Sequence, residues 1–174
     1  RTQLLTQKHT IESAIAQLTD DQLRARLQPD ANSIHIILKH LAGNLRSRFT
    51  DFLTTDGEKP WRDREREFRD EGETRDGLMQ RWNEAWSILV TTLDALTEAD
   101  LARTVTIRGQ PHTVPDALAR SLAHTAYHAG QVLLLARLLR GSADWKWITV
   151  PPGGTAAFNA DMARKHGEWR PPTM

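Results

Sequence analysis

Cysteine is absent from all 174 residues. Disulfides, thiolate metal ligands and a cysteine nucleophile are therefore excluded, and any sulfur chemistry has to come from a second molecule. An excess of one charge is missing too. The formal net charge is +1 with no long basic block, so the electrostatic footprint of a nucleic-acid binder is not expected. Long hydrophobic runs are lacking. The longest, QVLLLARLL over 131–139, carries an arginine and is far too short to cross a bilayer. The opening residues have no signal-peptide pattern, and the expectation is a soluble, cytoplasmic protein with no membrane partner. Several catalytic signatures are also missing. There is no P-loop, no G-x-G-x-x-G and no nucleophile elbow, and PPGGT (151–155) lacks the lysine of a phosphate loop. The carboxylates are scattered over helix faces, with no pair that marks a glycosidase. Tyrosine occurs once, against six tryptophans. Four of these, Trp61, Trp145, Trp147 and Trp169, fall outside the segments that read as helical.

What is present is a pattern for one domain, 1–174, with a sizeable core: 39% hydrophobic and 26% charged residues. Apolar residues recur at helical spacing over 2–18, 33–53, 73–96 and 115–140. Asn32 or Ser33 caps the second of these segments, and Pro115 and Gly141 bound the fourth. Gly43 lies inside the second segment, where glycine costs stability, so it predicts a close approach by another helix or a ligand. Residues 54–72 are polar and charged, with Trp61 and Phe68 as anchors. They read as a long ordered loop, either a lid over a site or a plain surface loop. VTIRGQPHTV (105–114) predicts a short hairpin turning at Gly109–Pro111. The chain after 140 reads as an irregular tail with a short helix over 155–165. Four long helices, the last set off by a hairpin, predict an all-α four-helix bundle.

Seven histidines are present. His124 and His128, in HTAYHAG, stand four apart on a helix, so their rings leave the same face. Two imidazoles so placed reach one ion, but seven histidines yield such a pair by chance often enough that spacing alone decides nothing. A zinc protease would carry glutamate where Thr125 stands. His40 shares a stripe with Asn44, Ser47 and Asp51, which is either a solvated face or an inward one. If inward, His40, His124 and His128 give three nitrogen ligands and leave a coordination position open, the arrangement of a reactive site rather than a structural one. His35 is five residues before His40 and points about 140° away. His9, His112 and His166 read as surface residues. Around the three, helical phase suggests Asn44 and Gln131 as orienting groups and Tyr127 as packing or a donor to His128. Arg46 and Arg48 fit either a substrate carboxylate or a solvated face. Trp61 belongs to the loop that would close over the site, and Trp145 and Trp147 either line it or cap the bundle.

The stretches ILKHLAGNLRSRFTDFL, DGEKPWRDREREF and HTAYHAGQVLLLARLL together resemble the DinB-like (damage-inducible) superfamily, in a bacterial branch of uncharacterised function. The resemblance covers nearly the whole chain. It implies an up-up-down-down bundle with a long crossover, a homodimer, and a divalent ion, nickel or zinc, held by His40, His124 and His128. It implies less about the reaction, and three functions stay open, of which only the first comes from the resemblance and the first two act on a small-molecule substrate. The first is a thiol-dependent S-transferase with a low-molecular-weight thiol such as mycothiol or bacillithiol as cosubstrate. Another is a metallohydrolase using metal-bound hydroxide. The third is a non-enzymatic metal-binding stress-response protein.

Overall fold

The computed structural model describes residues 1–167; Trp169 and the rest of 168–174 lie outside the described residues. The chain is mostly helical. Its elements in order are α1 (Thr2–Ile15), α2 (Asp20–Arg24), α3 (Ile34–Phe49), α4 (Arg64–Glu67), α5 (Arg75–Ala95), a 3-10 turn (Glu98–Ala102), β1 (Thr104–Ile107), β2 (Gln110–Thr113), α6 (Val114–Arg140) and α7 (Thr155–His166). Four of them are long, and they occupy the four segments with helical periodicity. α3 packs on α5 and on α6, and α6 packs on α1.

Three of the four long helices start where a hydroxyl accepts an orphan backbone N–H, and α1 starts after Arg1 without such a cap. Ser33, Thr74 and Thr113 cap α3, α5 and α6 through the N–H groups of Ile36, Gly77 and Asp116. α1 and α3 end earlier than the apolar pattern suggests, whereas α6 ends at Arg140 as expected. α1 stops at Ile15 because the Arg75 guanidinium, reaching across from α5, donates to the Ile15 and Leu18 carbonyls, each at 2.8 Å. α3 stops at Phe49, and two residues later Asp51 turns left-handed at φ 50°.

The core is built from Trp82, Trp86, Phe49 and a set of leucines and isoleucines. Ile37, Leu41 and Leu45 of α3 are in it, and burying each such side chain stabilises the fold by roughly 1.5–3 kcal/mol. The first half of α3 is buried all round, Lys39 included. Lys39 Nζ donates to the Arg69 carbonyl at 3.0 Å and to Glu71 at 3.1 Å. Residues 54–72 therefore wrap over α3 instead of projecting from it, which explains their order despite their polarity.

The hairpin differs from the expectation in its turn. Arg108 and Gly109 form it, both left-handed at φ 55° and 73°, and Pro111 lies within β2 opposite Thr106. Two residues at positive φ match the twist of a tight hairpin, and proline is tolerated because each strand has a free edge. The Asp56 carboxylate accepts the N–H groups of Arg108 and Gly109, each at 2.8 Å. Those bonds latch the 54–72 segment to the hairpin. Past α6, Trp145 is buried in the core, and Lys146 exchanges two hydrogen bonds with the Gln17 side chain. No helix among the described residues is long and apolar enough to cross a membrane.

Candidate metal centre

α3 delivers His40 and α6 delivers His124 and His128 to one point. One ring nitrogen from each lies within 4.8 Å of the others. His40 Nε2 and His124 Nε2 are 3.3 Å apart. The rings meet edge to face, with centroids 4.7–5.3 Å apart. His40 is buried and the other two are half-buried.

The remaining ring nitrogens of His40 and His128 fix the tautomers of those two rings. His40 Nδ1 lies 2.9 Å from Glu67 Oε2. Burial opposes ionisation of Glu67, but hydrogen bonds from His40 and Arg62 outweigh it and hold the carboxyl below its usual range. An ionised carboxylate only accepts, so His40 Nδ1 carries the proton and Nε2 keeps its lone pair. His128 Nδ1 lies 2.7 Å from Gln131 Oε1, which by the same logic leaves the His128 Nε2 lone pair free. Burial first, then the neighbouring His128 and His40, push the His124 pKa down to about 4, so this ring is neutral at pH 7. A proton or a cation has to lie between two nitrogens 3.3 Å apart. A tetrahedral ion with bonds of about 2.0–2.1 Å sets its nitrogens about 3.3 Å from one another. The three side chains fit a divalent cation in donor type, the His40–His124 spacing matches one, and the tautomers of His40 and His128 leave a nitrogen lone pair for it.

Glu67 and Arg62 support this arrangement, and neither was singled out from the sequence. Arg62 donates through Nε to Glu67 Oε1 at 2.8 Å and through Nη2 to Oε2 at 2.9 Å. The chain from Arg62 to Glu67 to His40 orients the ring, as outer partners of a metal-bound histidine do. Gly43 makes room for it. A Cβ on Gly43 would lie 2.0 Å from Glu67 Oε1. The close neighbour that Gly43 predicts is thus this carboxylate, carried on α4. Phe68 covers the other side, its ring 4.9 Å from that of His40.

The other suggested residues divide. Gln131 orients His128, as above. Asn44 and Arg48 line a cavity of about 270 Å³ that opens beside His40 and His124. Tyr127 is 65% exposed, and its ring rests 5.0 Å from His128 without a hydrogen bond among the described residues. Trp61 does not reach the cavity. It lies in a neighbouring groove under the Arg46 guanidinium, 4.8 Å away. Trp147 is similarly covered by Arg137 at 4.5 Å. His35 is buried and separate from the trio, its Nε2 4.0 Å from Glu73. His9 and His166 are exposed. His112 is not the plain surface residue that the sequence suggested: its Nδ1 meets Asp116 at 2.6 Å and its Nε2 is buried.

Residues 1–154 match a family described as a protein of unknown function, DUF1572. The chain belongs to that family. No curated protein matches it. The match runs from α1 to the start of the tail, so α1 to α6, the hairpin and the His40, His124 and His128 trio of this DUF1572 protein lie within it, and α7 lies beyond it.

Proposed function

We propose that this DUF1572 protein is a divalent-metal-dependent enzyme, with His40, His124 and His128 as ligands and the adjoining cavity as the substrate site. The observation that carries the reading is the convergence of three imidazoles beside a cavity, two of them, His40 and His128, oriented through their Nδ1 atoms by Glu67 and Gln131. Three protein ligands leave a position open, the arrangement of catalytic rather than structural sites. A bound nickel or zinc ion supplies a Lewis acid that lowers the pKa of a coordinating thiol or water. The chain's own work is to hold the three rings together, keep His124 and His128 neutral through burial and pack Phe68 against His40.

With no cysteine in the chain, the sulfur of an S-transferase reaction comes from a small thiol cosubstrate, and this is the preferred chemistry. Hydrolysis with water as the nucleophile is the second reading. The DinB-like bundle topology, with its up-up-down-down order and long crossover, is part of the same proposal, as are the homodimer and the cytoplasmic setting. The crossover corresponds to the connection between α3 and α5.

Elemental analysis of the purified chain beside the His124→Ala variant tests the reading. About one divalent ion per chain, lost in the variant, is the expected result. A chain that takes up neither nickel nor zinc would sink it. Turnover with and without added thiol then separates transfer from hydrolysis.

A further inference from the structure

His40, Asn44 and Arg48 are spaced four apart on α3, so they form one stripe along the helix. Arg120, Ser121 and His124 form the facing stripe on α6. All six line the same cavity. His40 meets His124 at one end, so the eight residues to Arg48 carry the stripe about 12 Å along the helix axis. The cavity has a histidine end and an arginine end.

The arginine end holds more positive charge than the protein neutralises. Arg62, Arg64 and Arg108 also line the cavity, and none of its lining residues is acidic. Arg62 is engaged by Glu67, Arg108 by Glu58 and Arg64 by Glu65. Among the described residues, Arg48 and Arg120 make no ion pair. Arg48 Nη1 is buried with no hydrogen-bond partner, and so is Ser121 Oγ. Orphaned buried donors are costly, and here two of them line one cavity. Arg48 is held there by construction. The guanidinium lies close over Gly57, where an added Cβ would come within 2.7 Å of Arg48 Nη1 and displace it. Gly57 itself is clamped by Ser47 Oγ donating to its carbonyl at 2.7 Å and by its own N–H donating to Thr106 at 2.8 Å. Burial, with Arg62, Arg108 and Arg120 nearby, pulls the Arg48 pKa down to about 10 against the opposing pull of Glu58. The guanidinium is still charged at pH 7.

We propose that the arginine end of this cavity binds an oxyanion group of the substrate, a carboxylate or a phosphate, through Arg48, Arg120 and the Ser121 hydroxyl. The substrate class is then an acidic small molecule whose reacting group lies several bonds from its anionic group, at the histidine end. That second statement rests on the metal reading above. The anion site itself does not.

The test is calorimetric titration of the full chain with inorganic phosphate and, separately, with succinate, at constant ionic strength, on metal-free and metal-loaded protein. Saturable binding of at least one probe to the metal-free chain is expected, and the tighter probe identifies the group. Arg48→Met and Arg120→Gln should each weaken it tenfold or more, while Arg137→Gln, over Trp147 and far from the cavity, should leave it unchanged. Arg48→Met should also raise the Tm without anion, because it removes an uncompensated buried charge; a purely structural Arg48 would make the Tm fall. Arg120 is exposed, so its variant keeps the test decisive if Arg48→Met does not fold. No saturable binding of either probe, or affinities unchanged in both variants, overturns the proposal. Anion binding by a chain that takes up no metal would uphold the anion site and sink the metal reading; metal uptake without anion binding would do the reverse.

Discussion

Glu67 accepts the Nδ1 proton of His40 at 2.9 Å and is itself held by two hydrogen bonds from Arg62. A carboxylate 27 residues away in sequence thus sets the tautomer of a ring on another helix. Glu67→Gln keeps the shape and an acceptor but removes the charge. Metal affinity, measured by competition with a chelating dye, should fall about 10–100-fold, with the fold retained. Glu67→Ala should also lower stability, on the order of 3 kcal/mol, because it leaves the buried Arg62 charge without its main partner.

Gly43 and Gly130 form a matched pair of helical glycines. At Gly130 an added Cβ meets nothing within 4 Å, so Gly130→Ala should stabilise the protein by up to about 1 kcal/mol and leave metal affinity unchanged. At Gly43 the added Cβ collides with the Glu67 carboxylate. Gly43→Ala should weaken metal binding about tenfold or more, despite the same gain in helix propensity. Thermal unfolding and metal titration on the two variants check this. Equal metal affinities would mean that Glu67 does not support the site.

Acid should destabilise the metal-free protein. Burial, followed by His128 and His40, lowers the His124 pKa from 6.5 to about 4, and burial is also the first cause lowering His35 and His128. Between the unfolded and folded values the unfolded chain binds more protons, so stability rises with pH there. The contribution is fully present above about pH 6.5 and is lost as pH falls through about 4. Urea midpoints across this window should drop on acidification, and His124→Ala should reduce the slope without abolishing it, since His35 and His128 still titrate. A slope unchanged in the variant would mean that His124 is not held neutral by its surroundings.

The sequence showed the helices and the three histidines because both follow helical periodicity. The stripe of Ile37, Leu41 and Leu45 marks the buried face of α3, and His40 shares a turn with it. Glu67 was not legible. In RDREREF it is one charge among several, and only the wrapping of 54–72 over α3 selects it. The usable signal was Gly43, three residues after His40, a position where a missing side chain implies a close neighbour. The hairpin turn was misplaced because Pro111 resembles a turn residue, whereas the deciding contacts are the two N–H groups caught by Asp56. Tyr127 was drawn in by adjacency to His128, but about 100° of helix rotation turns it to solvent.

His40 and His124 are 84 residues apart in the chain. An ion between them would act as a removable cross-link, joining an early helix to a late one. Because such an ion binds the native chain and not the unfolded one, its contribution is the mass-action term, about 2.7 kcal/mol at a free-ion concentration a hundredfold above the Kd. Occupancy of the three histidines is then a durability setting for the whole chain, so that starving the protein of metal would shorten its lifetime as well as silence it.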